Sequence, residues 1–386
     1  MKYVSTFLIA VLSSLLCACT HQQVSEGEQG DTLQFKYAEN LMLVDYQYYT
    51  EVTMQDPWNK GKILHTYVLV PYDKEDLSLA QHPSLAEATV IRTPLRRAVS
   101  FNTAHAYLIE ELGAIHQLKG VADLKYMLLP EVHQRVKDGR IFDCGDSMMP
   151  DIEKLIALQA DGILLSPFEN SGGYGRLEEI GVPIIECADY METSALGRAE
   201  WMKFYGRLFG KAHEADSLFA TVDSAYQGLR KAYGNNGSNV NHGNNGVRML
   251  TEKLTGNTWY VPGGKSSVAQ LIAAAGGSYA WMNDKHSGSL ALPFETILEK
   301  AGNADVWIFN DQSELPMTYD RLRAEYHGYA MLKPFKEHRV WYVNSLKVPY
   351  FEQVSFRPDW LLRDYIILLH PEQGLGEPKY YQPIKE

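Results

Sequence analysis

Few residues of this 386-residue chain stand in spacings that could make or break a bond, and the clearest is Cys19. An apolar run over residues 4–16, interrupted by Ser5, Thr6, Ser13 and Ser14, follows Lys2 and ends in Leu16-Cys17-Ala18-Cys19. Leu16 three residues before Cys19 and small Ala18 directly before it form the pattern for cleavage and lipid modification of the Cys19 thiol. Cys17 fits less well, because Leu16 would then occupy the position that needs a small side chain. Residues 1–18 therefore read as a lipoprotein signal peptide, too short to remain as a spanning helix. Residues 19–34, polar and carrying Gly27 and Gly30, read as a lipidated flexible tether. Two thiols then remain, Cys144 and Cys187. In an oxidising compartment they form a disulfide or stay as two buried thiols.

Other reactive patterns fail on inspection. Pro262-Gly263-Gly264-Lys265-Ser266 has the end of a phosphate loop, but Trp259 stands where its first glycine is required. No Gly-x-Ser-x-Gly, His-Glu-x-x-His or Cys-x-x-Cys occurs, so hydrolase, zincin and redox chemistries lack their nucleophile or ligand set. The formal charge of −11 opposes nucleic acid or anionic lipid as a main partner. Hydrophobic content of 45% with 24 tyrosines indicates a packed body rather than disorder.

The elements that must position any site follow from periodicity. Residues 35–96 are β-rich, with apolar runs Leu41-Met42-Leu43-Val44 and Thr66-Tyr67-Val68-Leu69-Val70, and Pro94 blocks a central strand at their end. Strands and helices alternate over residues 97–193. Ala98-Val99-Ser100-Phe101 is a strand, Asn102-Thr103 open a helix that Gly113 ends, and residues 161–166 form a buried strand. Such alternation implies a mostly parallel sheet covered by helices. Over residues 194–233 apolar residues recur every three or four positions without proline, from Trp201 and Tyr205 to Tyr226 and Leu229. This predicts one long helix, capped by Thr193 or Ser194 and ended by Gly234. Residues 234–246 are an Asn/Gly-rich loop. A second β-α set spans residues 247–372, and residues 373–386 form a tail. The predicted fold is α/β: two Rossmann-like lobes with mostly parallel sheets, joined by one long rigid helix, plus the β-rich extension.

At this point the chain resembles the substrate-binding proteins of ABC importers for iron-siderophores, haem and cobalamin. The resemblance covers roughly residues 95–372. It rests on residues 97–105, beginning Arg97-Ala98-Val99 and ending Ala104-His105, and on residues 149–163, beginning Met149-Pro150-Asp151. It rests further on residues 175–210, which contain Ala188-Asp189-Tyr190-Met191-Glu192, and on Arg357-Pro358-Asp359-Trp360 with His370-Pro371-Glu372. The family implies a ligand held between lobes, no catalysis, and a membrane permease as partner. It also implies one docking glutamate per lobe. By position these are Glu153 and Glu295, each in a first helical turn where the helix dipole favours a carboxylate.

In that architecture the cleft is lined by loops at the carboxyl ends of strands. The first lobe then offers Asn102, Thr103 and His105, with Phe168, Glu169, Asn170 and Tyr174. The second offers Trp259, Tyr260, His286, Asp311, Tyr350 and Phe351. Aromatic surface with a few polar groups suits a large chelate. His105 could ligate iron or simply bond nearby backbone. The expectation is a monomeric lipoprotein on the outer side of a bacterial membrane, with no cofactor of its own. It would pass a small-molecule iron or cobalt chelate to an ABC permease, a ferric siderophore first, then haem or cobalamin. The alternatives are a chelatase-like enzyme or a bare-metal binder on the same plan.

Overall fold

The computed structural model describes residues 30–79, 82–169, 173–234 and 246–385. Cys19 and the signal peptide, Asn170 and residues 235–245 of the Asn/Gly-rich loop lie outside the described residues.

The extension is a five-stranded sheet in sequence order: β1 (Asp31–Leu33), β2 (Leu41–Asp45), β3 (Thr50–Gln55), β4 (Ile63–Pro71) and β5 (Thr89–Thr93). Pairing is antiparallel except between β4 and β5. Residues 31–33, expected at the end of the tether, thus already belong to the sheet. Tyr67, Val68, Leu69 and Val70 are all buried because both faces of β4 are covered. Tyr67 and Leu69 join the main core, while Val68 and Val70 pack with Tyr49 and Leu85 in a small outer cluster.

The first lobe runs β6 (Ala98–Ser100), α1 (Thr103–Glu111), β7 (Leu118–Val121), α2 (Pro130–Lys137) and β8 (Phe142–Asp143). A short hairpin of β9 (Gly145–Asp146) and β10 (Met149–Pro150) leads into α3 (Ile152–Leu158). Then come β11 (Gly162–Leu165), α4 (Arg176–Glu179) and β12 (Ile184–Glu186). The sheet order is β12-β11-β6-β7-β8, all parallel. This order decides the cysteine question. Cys144 follows β8 at one edge and Cys187 follows β12 at the other, with three strands between them. At about 4.8 Å per strand the two thiols cannot meet. Both are buried and free, so the disulfide reading is corrected to two buried thiols.

The helix expected over residues 194–233 is divided. It is realised as α5 (Ala195–Glu200), α6 (Met202–Leu208) and α7 (Ala212–Tyr233). Gly210 takes φ +66°, a conformation open to glycine, and Lys211 N–H bonds back to Gly206 O at 2.6 Å, so the chain turns before α7 starts. A Cβ on Gly206 would stand 2.5 Å from that of Ala215, which shows how closely α6 and α7 pack. The single joining helix is α7, 22 residues and about 33 Å long. Apolar periodicity runs through Leu208 and Phe209, both buried, and so hides the break.

The second lobe contains β13 (Met249–Thr251), β14 (Leu254–Thr255), β15 (Thr258–Pro262), α8 (Ser267–Ala274) and β16 (Ser289–Leu292). It continues with α9 (Phe294–Ala301), β17 (Val306–Asp311), α10 (Tyr319–Glu325), α11 (Lys333–Lys336) and β18 (Val340–Asn344). It closes with α12 (Tyr350–Gln353), α13 (Pro358–Leu369) and β19 (Gln382–Pro383). One sheet is ordered β13-β17-β18-β19, parallel but for β19, and a second, antiparallel, is β14-β15-β16. The expected tail is therefore part of this lobe. Asp364 accepts the backbone N–H of Lys379 and Tyr380, each at 2.7 Å, and Tyr380, Tyr381 and Ile384 are buried.

Two carboxylates bind the extension to the first lobe. Glu200, fully buried, accepts the backbone N–H of Lys36, Tyr37 and Ala38 at 3.0, 2.7 and 3.0 Å, and Lys203 Nζ at 2.9 Å. Glu192 accepts Glu39 and Asn40 N–H at 3.0 and 2.9 Å and Trp201 Nε1–H at 2.9 Å. Charge-assisted bonds of this kind are the strong ones, and removing the acceptor strands buried donors. Glu200→Ala is expected to lower unfolding free energy by about 3–5 kcal/mol in urea titration. Hydrogen exchange should rise first over residues 36–40. A loss below about 1 kcal/mol would mean the clamp contributes little.

Candidate functional site

In α/β sheets ligands bind at the carboxyl ends of the strands, and in both lobes the loops there carry the candidate residues. In the first lobe Asn102 caps α1, its Oδ1 accepting Ala104 N–H at 2.8 Å, while its Nδ2 donates to Ser166 Oγ at 3.0 Å. The side chain thus ties the loops after β6 and β11 together. Thr103 reaches the other lobe: its hydroxyl donates to Glu352 Oε1 at 3.0 Å, and Leu128 N–H donates to the same oxygen at 2.8 Å. Gln270 Nε2, on α8, donates to Thr193 O at 3.0 Å and makes a second bond between the lobes.

His105 is not in the cleft. It is fully buried on α1, with Nε2 3.0 Å from Asp189 Oδ1, because it falls on the helix face that packs inward. Arg198 Nε donates to Asp189 Oδ2 at 3.0 Å and the Tyr205 hydroxyl to Oδ1 at 3.3 Å. Burial alone would raise the Asp189 carboxyl, but His105 and Arg198 outweigh it and hold the group below the usual carboxylate range. Tyr174 also turns inward, donating to Glu186 Oε1 at 2.6 Å. Phe168 remains 48% exposed at the mouth, beside exposed Glu169. Tyr190, not singled out from sequence for the cleft, is also exposed, and its hydroxyl donates to Pro167 O.

The second lobe separates neighbours that sequence reading grouped. Trp259 is fully buried, donates Nε1–H to Thr251 O at 2.9 Å, and packs with Trp307, Tyr329 and Phe294. It is core. Tyr260, next on β15, points to the opposite face and is 47% exposed, as strand alternation requires. His286 lies on the surface, bonded to Asp284 at 3.0 Å, and does not line the cleft. Asp311 is buried, with Lys253 Nζ and Arg321 Nη1 each at 3.4 Å, so it serves an internal ion-pair cluster. Tyr350 is half-buried, its hydroxyl 3.5 Å from that of Tyr381, and Phe351 is 45% exposed.

A cleft of about 370 Å³ opens on this lobe, lined by Glu252, Lys253, Tyr260, Ser266, Ser287 and Ser289 among others. Glu252 was not picked out from sequence. It directly follows β13, the position that nominated Asn102 after β6, so the same rule could have found it. Its backbone takes φ +65°, which costs a non-glycine residue of order 1–2 kcal/mol, and Trp307 Nε1–H holds its carbonyl at 2.6 Å. Gly263 and Gly264 lie between the lining residues Pro262 and Ser266 in the chain. A Cβ on Gly264 would lie 2.5 Å from the carbonyl oxygens of Trp281, Met282 and Asp284. These glycines therefore serve a tight turn rather than a phosphate cradle. Among the described residues no three His, Cys, Asp or Glu side chains gather to hold a metal ion. Glu153 and Glu295 are both exposed in the first turns of α3 and α9.

Comparison with known proteins agrees with this geometry. Residues 99–345 match the family described as periplasmic binding protein. An uncharacterized lipoprotein of Methanocaldococcus jannaschii is 25% identical over 374 residues, covering 92% of this chain and 86% of the relative. That span is too long to leave out the β-rich extension. Among solved structures, a periplasmic haem-binding protein of Pseudomonas aeruginosa superposes with a TM-score of 0.55 at 15% identity, covering 75% of this chain and 98% of its own. The ABC-type Fe3+-hydroxamate transport system protein of Saccharomonospora viridis gives 0.53 at 17% identity, covering 72% and 94%. These two share the fold. The match over residues 99–345, more than half of the chain, takes in most of both lobes and the helix that joins them, and the chain belongs to the periplasmic binding protein family.

Proposed function

We propose that this protein captures a metal chelate outside the cytoplasm and delivers it to an ABC permease. The observation that carries the reading is exposed aromatic surface on both lobes, Phe168 and Tyr190 on the first and Tyr260 and Phe351 on the second, with Tyr260 lining a cleft of about 370 Å³. Aromatic walls with few charges suit a large, partly apolar ligand, and no bond need be made or broken. A ferric siderophore is the first candidate, with haem and cobalamin next; the haem-binding and Fe3+-hydroxamate neighbours support this ligand class. Lipid on Cys19 would keep the binding protein near its permease at high effective concentration. Among the described residues no helix is long and apolar enough to cross a membrane.

Purification from the native host followed by visible absorption spectroscopy tests the reading. We expect an absorption band of ferric siderophore, haem or corrinoid in the isolated protein or on titration with each. A colourless protein that binds none of the three contradicts the proposal.

Glu153 and Glu295 are the proposed contacts to the permease. Each is exposed and stands where the helix dipole stabilises a carboxylate, so opposite charges on a partner would steer docking. The double variant Glu153→Lys/Glu295→Lys is expected to abolish uptake in a transport assay while ligand affinity stays at the wild-type value. Unchanged uptake removes the assignment.

A further inference from the structure

The cleft on the second lobe contains an acidic side chain with no partner among the described residues. Of the residues lining it, only Glu252 and Lys253 carry charge. Lys253 is already engaged: its ammonium lies 2.6 Å from Glu325 Oε2 and 3.4 Å from Asp311 Oδ1. The Glu252 side chain has no hydrogen bond or ion pair among the described residues. Glu252 is exposed, and its side chain lines the mouth of the cleft. The carboxylate therefore has no counter-charge among the described residues.

Three further features point the same way. Glu252 adopts a left-handed backbone, with its carbonyl fixed by Trp307 Nε1–H, and strained non-glycine residues persist where the surroundings over-determine them. Hydroxyls of Ser266, Ser287 and Ser289, with Tyr260, line the same cleft, so its polar surface suits a ligand rich in hydrogen-bonding groups. Its position is also suitable. Ser266 caps α8, one turn before the Gln270 bond to Thr193. The cleft thus lies beside a point at which the lobes touch.

We propose that Glu252 is the charged anchor of a ligand subsite, and that the chelate it takes presents a cationic or donor-rich rim rather than a cluster of negative charges. This rests on the chelate-binding reading above and narrows it. A carboxylate left without a counter-charge attracts an ammonium or a ring of amide and hydroxyl donors, and it repels catecholates and propionates.

Calorimetric titration of the whole protein with four probes tests this. They are a ferric trihydroxamate bearing a free ammonium, a ferric tris-catecholate, haemin and cyanocobalamin, each against wild type, Glu252→Gln and Glu252→Gly. We expect the ammonium-bearing trihydroxamate or the amide-rimmed corrinoid to bind best, and Gln to weaken it by about tenfold or more, as loss of a charged contact does. The Gly variant, free to take φ +65°, should lose affinity equally while melting at or above the wild-type temperature. That combination separates a binding role from a folding defect. Preference for the polyanionic probes, or a smaller loss in the Gln variant on the best-bound probe, overturns the Glu252 assignment and leaves chelate binding intact. Failure of all four probes to bind wild type overturns chelate binding itself.

Discussion

Glu352 belongs to the second lobe, yet Oε1 of its buried side chain accepts from Thr103 and Leu128 of the first. The geometry of the cleft depends on this contact. Breaking a buried carboxylate away from its donors costs several kcal/mol unless water or ligand replaces them. α7 adds a second constraint, for α13 of the second lobe packs along it, and Gln270 bonds to Thr193 at a third point. Two lobes held in these ways have little freedom to hinge. The cleft is consequently largely formed before a ligand arrives, and ligand selection falls to the side chains on its walls.

A second pattern is the use of buried acids to organise backbone. Glu200 and Glu192 gather five consecutive N–H groups of residues 36–40, and Asp364 gathers two more near the carboxyl terminus. Neither segment has strand partners at those residues, so the carboxylates take the place of a ladder for their donors. The β-rich extension is therefore a built part of the first lobe. Tyr67 strengthens the join, donating to Ile184 O and accepting from Glu186 N–H on β12. In contrast, the exposed side chain of Glu252 holds no backbone donor among the described residues.

Much of this frame was legible in the sequence. Alternation of short apolar runs with helical periodicity located both parallel sheets, and Pro94 marked the end of the extension. What periodicity cannot show is which side of an element a residue type occupies. Trp259 and Tyr260 are both aromatic at a strand end, but alternation buries one and exposes the other. His105 faces the core because α1 rotates it inward toward Asp189, a partner 84 residues away in the chain. The break at Gly210 was hidden because buried Leu208 and Phe209 carry the apolar spacing up to the turn. The cysteines looked paired because both follow short strands; only the strand order, which joins distant segments, places them at opposite edges.

A crystal structure of the protein with its chelate bound tests the account most directly. The account predicts a ligand between the lobes, touching Phe168 on one wall and Tyr260 on the other, with the Thr103–Glu352 bond retained and the lobes unmoved. A ligand seated elsewhere, as in the smaller cavity lined by Tyr37, Tyr226 and Arg230, would contradict it. So would a rotation of the lobes that breaks the Glu352 contact.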